Sequence, residues 1–214
     1  MIVAQSVVLS DETLAEATLF LAAMDEDMAR LLKVNGTPPL WARPAGFETL
    51  IRIILEQQVS LKSADAIYRR LKVNVSPLTP ANIMQAGFDA LRSLGITRQK
   101  ASYFINVAEA IESGGLDFEL LAMADDKDAI EILTSIRGVG PWTAKIYLLM
   151  VLCRPDVWPV GDIALATAVK NMKGFQERPT QPELTEIALA WQPHRATAAR
   201  MLWHYYLSGM KTDG

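Results

Sequence analysis

The chain has 214 residues, of which 50% are hydrophobic and 21% charged, and its formal net charge is -3. This composition supports a substantial core in one globular unit of one or two subdomains, and it excludes a disordered chain. The single cysteine, Cys153, excludes an intramolecular disulfide, a thiolate zinc cage and a four-cysteine iron–sulfur cluster, so we expect no such metal site.

The charge is distributed unevenly along the chain. Residues 1–136 carry 12 basic and 18 acidic side chains, whereas residues 137–214 carry 9 basic and 6 acidic ones. The acidic total by itself disfavours a polyanion as partner. Any polyanion that does bind should therefore meet the C-terminal part.

Neither a secretion signal nor a membrane span is predicted. The N-terminal segment MIVAQSVVLSDETL has no basic residue before its apolar ones, and the longest apolar run, IYLLMVLC, covers only residues 146–153. Such a run is too short to cross a bilayer. We expect a cytoplasmic protein that does not bind membranes.

Helical signals recur in chain order, and apolar residues repeat at helical spacing within 47–55 and 101–111. The predicted helix starts and stops are Ser10, Thr79 with Pro80, Gly87, Thr97 and Gly114–Gly115. No period-two strand of useful length occurs. The sequence therefore predicts an all-α fold.

Two Pro-rich loops, residues 35–46 and 154–161, look like joints between helical lobes. They suggest a central subdomain of residues 46–154 and a second subdomain made of residues 1–45 and 155–214. No internal repeat or low-complexity tract is present.

The segment GVGPWTAK, residues 138–145, separates two apolar helical stretches. Gly-Val-Gly is predicted to be the whole connection, with Gly138 at positive φ, Gly140 allowing close approach of a ligand, and Pro141 starting the next helix. The first-turn amides of that helix would form an anion site for one phosphate, to which Lys145 adds charge. The alternative from spacing alone is a plain corner between two helices.

An aspartate, Asp162, stands in PVGDIAL immediately before an apolar helix. This is the position of an N-cap, where the helix dipole and amide hydrogen bonds stabilise an ionised carboxylate. From position alone, a structural cap is a sufficient explanation.

The segment LTSIRGVGPWTAKIYLLMVLCRPDVWPVGDIAL, residues 133–165, resembles the helix-hairpin-helix and Gly/Pro-loop-Asp signature of DNA glycosylases. More specifically it resembles the 3-methyladenine DNA glycosylase II branch, which excises alkylated bases. Further similarity to that branch extends from about residue 38 to 208, and its main segments are 47–71, 94–111 and 191–203.

The resemblance implies a bilobal helix-hairpin-helix DNA glycosylase fold with an active-site cleft between two helical subdomains and the hairpin at residues 133–153. Because only about 45 residues precede the segment 47–71, which contains the QQVS motif at residues 57–60, the chain resembles the compact form without the N-terminal β domain. The implied partner is lesion-containing double-stranded DNA, bound by a monomer without sequence specificity, in the nucleoid if the source is prokaryotic. No cofactor is implied, although hairpin carbonyls of this family can hold a monovalent cation.

The resemblance also assigns DNA contacts residue by residue. Gly138, Gly140 and Thr143 would meet phosphates through backbone and hydroxyl groups, with Lys145 nearby. Gln58 would fill the gap left by an extruded base, a position where relatives often have leucine. For Gln57 and Gln58 the alternative is a polar helix end that caps neighbouring backbone.

By the same resemblance Asp162 is the catalytic carboxylate, which stabilises oxocarbenium character on the sugar and orients or deprotonates water. Alkylated purines already carry positive charge and leave as neutral molecules, so no protein acid is needed. Bifunctional relatives have a lysine nucleophile two residues beyond the second glycine, where this chain has Trp142. We therefore expect a monofunctional enzyme without lyase activity.

Three aromatic residues are candidates to stack on the extruded base: Trp142, Trp203 and, more weakly, Tyr147. The alternative for each is packing in the core. Two other functions stay open from sequence, namely excision of uracil, hypoxanthine or ethenoadenine by the same fold, and DNA-structure binding without catalysis.

Overall fold

The computed structural model describes residues 8–210, which form twelve α-helices and no strand. The prediction of an all-α fold is confirmed. The helices are α1 Asp11–Met24, α2 Glu26–Asn35, α3 Phe47–Glu56, α4 Leu61–Asn74, α5 Pro80–Ser93, α6 Arg98–Glu112, α7 Phe118–Met123, α8 Asp126–Thr134, α9 Pro141–Met150, α10 Ile163–Lys173, α11 Gln181–Leu189 and α12 Arg195–Leu207. Within residues 8–210, no helix has the length and apolar character needed to cross a membrane.

The predicted helix starts are confirmed by their caps. Ser10, Thr79 and Thr97 each accept a hydrogen bond from the backbone amide three residues ahead, as N-cap side chains do. Gly87 ends a helical segment, as predicted: its backbone, with φ 75 and ψ 173, is not helical, and a second helical segment continues from there to Ser93 within α5.

The chain divides into two compact units, one of Arg43–Tyr147 and one that combines the residues up to Ala42 with those from Leu148 onwards. The Pro-rich loops predict joints after residues 45 and 154. Residues 148–154 fall in the terminal unit because they bond to it. For example, Leu9 N donates to the carbonyl oxygen of Cys153 over 2.7 Å.

The central unit is built around α3, whose residues Leu50, Ile51, Ile53, Ile54 and Leu55 have no exposed surface. Helix α3 packs against α4 and α6, and α6 packs against α5. Its polar residues Glu48, Arg52 and Glu56 recur every four positions along one side, and the apolar remainder of the helix is covered by these neighbours. The end of α3 is thereby fixed inside the unit.

The terminal unit is built around α12, which packs against α1, α2 and α10. Polar links join its segments: the Trp191 indole donates to Asp25 Oδ2 over 3.0 Å, and Lys173 Nζ contacts Asp27 Oδ2 over 2.8 Å. Burial acts to raise the pKa of Asp25, but the hydrogen bonds from Trp191 and backbone amides lower it overall.

A fully buried arginine, Arg200, ties three segments of the terminal unit together. Its guanidinium donates to the carbonyl oxygens of Leu40 at 2.8 Å, Ala196 at 3.1 Å and Leu149 at 2.6 Å. Burial lowers the pKa of Arg200 to about 10. Carbonyl dipoles thus stabilise this buried charge.

Candidate active site

The hairpin connection is longer than the sequence suggested. Helix α8 ends at Thr134, so residues 135–140 link it to α9 and the predicted Gly-Val-Gly connection is too short. The additional residues form turns in which Ile136 N donates to Leu133 O over 3.2 Å and Val139 N donates to Ile136 O over 3.0 Å. The predicted start of α9 at Pro141 is confirmed.

The two hairpin glycines are needed for different reasons. Gly138 has φ +108, as predicted, and a Cβ added there would lie 2.2 Å from Cγ of Tyr103. A Cβ added at Gly140 would meet no atom within 4 Å, so this side of the hairpin is open. Gly138 is therefore required by the fold, whereas Gly140 leaves room for a ligand to approach the backbone.

Two arginines lie beside the hairpin. Arg98 and Arg137 line an open depression of about 480 Å³ together with Phe88, Gln99, Ser102 and Tyr103. The guanidinium carbon of Arg98 lies 5.5 Å from the centroid of the Phe88 ring. The surface next to the hairpin thus carries positive charge, which suits a polyanion.

The predicted contact between the Thr143 hydroxyl and a phosphate would require this hydroxyl to face solvent, and it does not. The relative exposure of Thr143 is only 1%, and its Oγ1 accepts a hydrogen bond from Gln57 Nε2 at 2.8 Å. The same Gln57 amide donates to the carbonyl oxygen of Gly138 at 3.2 Å. Thr143 therefore joins the hairpin to the end of α3, and a hydroxyl contact with a phosphate is not supported.

The segment after α3 has an unusual backbone. Gln57 is the C-cap of α3, and Gln58 follows with φ +55 and an exposed side chain. Lys100 Nζ donates to the carbonyl oxygens of Leu55 at 2.7 Å and Gln57 at 2.8 Å, and burial lowers its pKa. Gln58 thus stands exposed on a fixed backbone, as a residue that enters DNA would have to.

The aspartate is held in place by two donors within the terminal unit. Asp162 is 9% exposed and caps α10, as its position predicted. Its Oδ1 accepts from the backbone amide of Leu165 at 2.9 Å and from the Trp203 indole at 3.3 Å. Both donors fix the orientation of the carboxylate.

The three predicted aromatic residues have different environments. Trp203 is 8% exposed and donates its indole N–H to Asp162, a contact that no local sequence pattern indicates. Trp142 and its neighbour Lys145 are half-buried on α9.

Tyr147 is fully buried, so the structure does not support its predicted role as a base platform. Its ring stacks on Phe118 with centroids 5.9 Å apart. Its hydroxyl accepts from the amide of Gly46 at 3.2 Å, and burial raises its pKa to about 12. Tyr147 is a packing residue of the central unit.

Within residues 8–210 no cluster of three or more His, Cys, Asp or Glu residues is arranged to hold a metal ion. The resemblance predicts a monovalent cation at hairpin carbonyls, and two carbonyl oxygens of the hairpin already accept hydrogen bonds: Arg137 O accepts from Asn106, and Gly138 O accepts from Gln57. Each carbonyl oxygen has a second lone pair, so these groups still fit such a cation.

Comparison with known proteins gives consistent matches along most of the chain. Residues 51–193 match the family model described as HhH-GPD superfamily base excision DNA repair protein. The chain is 30% identical over 198 residues to DNA-3-methyladenine glycosylase 1 of Schizosaccharomyces pombe, covering 89% of this chain and 87% of that protein. It is also 30% identical over 192 residues to the DNA-3-methyladenine glycosylase of Bacillus subtilis, and spans 59% of that protein's length.

Solved structures with the same fold agree with these matches. The S. pombe 3-methyladenine DNA glycosylase in complex with abasic DNA aligns with a TM-score of 0.81 at 28% identity, over 92% of this chain and 100% of that one. A DNA-3-methyladenine glycosidase of Bacillus halodurans aligns with a TM-score of 0.75 at 33% identity, over 92% and 90% of the two chains. The chain therefore belongs to the HhH-GPD superfamily of base excision DNA repair proteins.

Proposed function

We propose that this protein is a monofunctional DNA glycosylase of base excision repair that acts on alkylated purines of the 3-methyladenine and 7-methylguanine type. It extrudes the damaged nucleotide, hydrolyses its N-glycosidic bond and leaves an abasic site. The observation that carries the proposal is the Asp162 carboxylate, which two N–H donors hold in one orientation at the start of α10. Relatives named DNA-3-methyladenine glycosylases support the substrate class.

The carboxylate acts on charge that develops during bond cleavage. As the base departs, the sugar gains oxocarbenium character, and a nearby anion lowers the energy of that state. For a charge pair about 4 Å apart in an effective dielectric of about 20, the interaction is worth on the order of 4 kcal/mol, which is roughly a thousandfold in rate. The same carboxylate orients or deprotonates the attacking water.

The substrate class follows from what the site supplies. An alkylated purine with formal positive charge leaves as a neutral molecule, so Asp162 needs no partner acid. A half-buried indole such as Trp142 attracts an electron-poor cationic ring by stacking and cation–π interaction. Neutral lesions such as uracil or hypoxanthine need more help with the leaving group.

The DNA contacts belong to the hairpin and the segment after α3. Gly140 leaves the hairpin backbone accessible, and backbone amides at a helix start bind phosphate without reading sequence. Exposed Gln58 is the candidate to fill the space of the extruded nucleotide. The protein acts as a monomer in the cytoplasm, without a cofactor, and a monovalent cation at the hairpin carbonyls would strengthen phosphate binding.

No lyase step is proposed, because Trp142 occupies the position of the nucleophilic lysine in bifunctional relatives. Borohydride added during the reaction should trap no covalent complex with DNA. A trapped complex that disappears in Lys145→Ala would overturn this part of the proposal.

The test of the function uses duplexes that each carry one lesion, followed by alkali to cleave abasic sites. We expect cleavage at 7-methylguanine and 3-methyladenine that exceeds cleavage at uracil, hypoxanthine or ethenoadenine. Preference for a neutral lesion would change the substrate class. Binding to DNA with no cleavage of any lesion would leave only a DNA-structure binder.

A further inference from the structure

We propose that Gln57 is a positioning residue that couples the phosphate-binding hairpin to the exposed Gln58, so that both engage DNA as one rigid element. The inference rests on the proposed function of the hairpin and of Gln58. It assigns to Gln57 a role separate from that of its neighbour, because the two side chains differ in exposure and in contacts.

The side chain of Gln57 spans the base of the hairpin. Its amide nitrogen donates to Gly138 O at 3.2 Å and to Thr143 Oγ1 at 2.8 Å. The first acceptor precedes α9 and the second lies in its first turn, so one amide group fixes both sides of the turn. A primary amide has two N–H donors, which match these two acceptors.

The backbone of Gln57 is fixed by a second set of hydrogen bonds. Lys100 Nζ donates to the carbonyl oxygens of Gln57 and Leu55, which lie at the end of α3. An ammonium group at this location satisfies helix-end carbonyls and interacts favourably with the negative end of the helix dipole. Gln57 is therefore bonded through both its backbone and its side chain.

These bonds matter because of the residue that follows. Gln58 has φ +55, a left-handed conformation that residues other than glycine rarely adopt, and its side chain is exposed. Such a conformation persists where surrounding contacts determine it. The hydrogen bonds of Gln57 thus hold the exposed Gln58 at a fixed position relative to the hairpin before DNA binds.

Loss of the Gln57 side chain would allow the hairpin and Gln58 to move separately. Phosphates would still bind, but the backbone of Gln58 would have to become ordered as this residue enters the base stack. Extrusion of a stacked base should become harder, whereas bond cleavage at a base already outside the stack should not change.

The experiment compares single-turnover cleavage of 7-methylguanine paired in a duplex with cleavage of the same base in an unpaired bulge. Gln57→Ala should slow cleavage of the paired substrate on the order of tenfold or more, as misplaced contact groups do. Its rate on the bulged substrate should stay near that of wild type. Equal slowing on both substrates, or on neither, would overturn the inference.

Three further variants separate positioning from folding and chemistry. Thr143→Val removes one of the two acceptors while preserving shape, so it should show the same pattern with a smaller effect. Asp162→Asn should slow both substrates equally. Gln85→Ala, which removes an exposed amide of α5, should change neither rate.

A binding measurement keeps the inference testable without catalysis. A duplex containing a tetrahydrofuran abasic-site analogue opposite 2-aminopurine reports entry of a side chain through the fluorescence of that base. Wild type and Gln85→Ala should change the fluorescence, whereas Gln57→Ala and Gln58→Ala should change it much less at saturating protein. If wild type changes the fluorescence and Gln57→Ala does not, but wild type cleaves no lesion, the proposed function fails and the positioning role stands. If Gln57→Ala changes the fluorescence as much as wild type does, the positioning role fails. If wild type leaves the fluorescence unchanged, the positioning role fails.

Discussion

Replacing Asp162 with asparagine separates the structural role of this residue from its role in catalysis. Asparagine keeps a side-chain oxygen in the place of Oδ1, so the amide of Leu165 and the indole of Trp203 retain an acceptor. Asn and Asp are about equally good N-caps, and the favourable interaction of the charge with the helix dipole is lost. The expected loss in free energy of unfolding is about 0.3–1 kcal/mol.

The effect on activity should be much larger. Removing the charge eliminates an interaction of about 4 kcal/mol with the cationic sugar, so single-turnover cleavage should fall on the order of a thousandfold. Asp162→Ala is the matched control, because it also removes the cap and leaves the buried indole N–H of Trp203 without this acceptor. Its free energy of unfolding should be lower than that of Asp162→Asn by about 1–3 kcal/mol, whereas its loss of activity should be similar to that of Asp162→Asn.

Both quantities are measurable with purified protein. Denaturant unfolding gives the stability differences, and quenched-flow or manual time courses on a 7-methylguanine duplex give the rates with enzyme in excess. Cleavage by Asp162→Asn within about threefold of wild type, which corresponds to less than 1 kcal/mol, would refute the electrostatic argument. If Asp162→Asn unfolded as easily as Asp162→Ala, the argument about the cap would be wrong instead.

Three other predictions concern the central unit and the hairpin. Gly138→Ala should lower the free energy of unfolding by about 3 kcal/mol or more, because it strains the backbone at φ +108 and places a Cβ against Tyr103. Gly140→Ala should leave the free energy of unfolding unchanged and weaken DNA binding. Equal stability of the two variants would contradict this prediction. Arg137→Ala should weaken binding to all duplex sequences alike. In a salt titration it should also reduce the slope of log binding constant against log salt concentration by about one. A loss of affinity that depends on sequence would argue against a phosphate contact. Hydrogen bonds from Lys72 and Tyr68 hold the pKa of Glu48 below its ordinary 4.5, so this carboxylate stabilises the fold above that pH and the contribution is lost as the pH falls through the lowered pKa. Glu48→Gln should therefore unfold slightly more easily than wild type at pH 7, by less than about 1 kcal/mol for so exposed a pair, and the difference should shrink as the pH falls through the lowered pKa of Glu48.

Local sequence patterns were sufficient for the helices and for part of the site. Caps such as Ser10 and Asp162 act on amides three residues away, so a short window contains both partners. The positive φ of Gly138 and the start of α9 at Pro141 are local in the same sense. The break at Gly87 is also local, because a glycine readily takes the positive φ that ends a helical segment.

The remaining features depend on partners that are distant in sequence. Gln57 bonds to Gly138 and Thr143, which follow it by 81 and 86 positions, so nothing near the QQVS motif indicates that the hydroxyl of Thr143 turns inward. The bond from Trp203 to Asp162 likewise spans 41 positions. Which side chain fills the space beside Gly138, or stacks on Tyr147, is decided by packing between helices and has no local signature.

The order of the two units along the chain has a consequence for synthesis on the ribosome. The central unit is a continuous segment, Arg43–Tyr147, and all of its residues have been made before the terminal unit is complete. The terminal unit cannot complete its folding until α12 has been synthesised, because α1 and α2 pack against α12 and the carbonyl oxygen of Leu40 accepts a hydrogen bond from Arg200 in that helix. During translation α1 and α2 can therefore pack against each other before α12 exists, and a stop codon that removes only α12 would leave them without the helix that both contact.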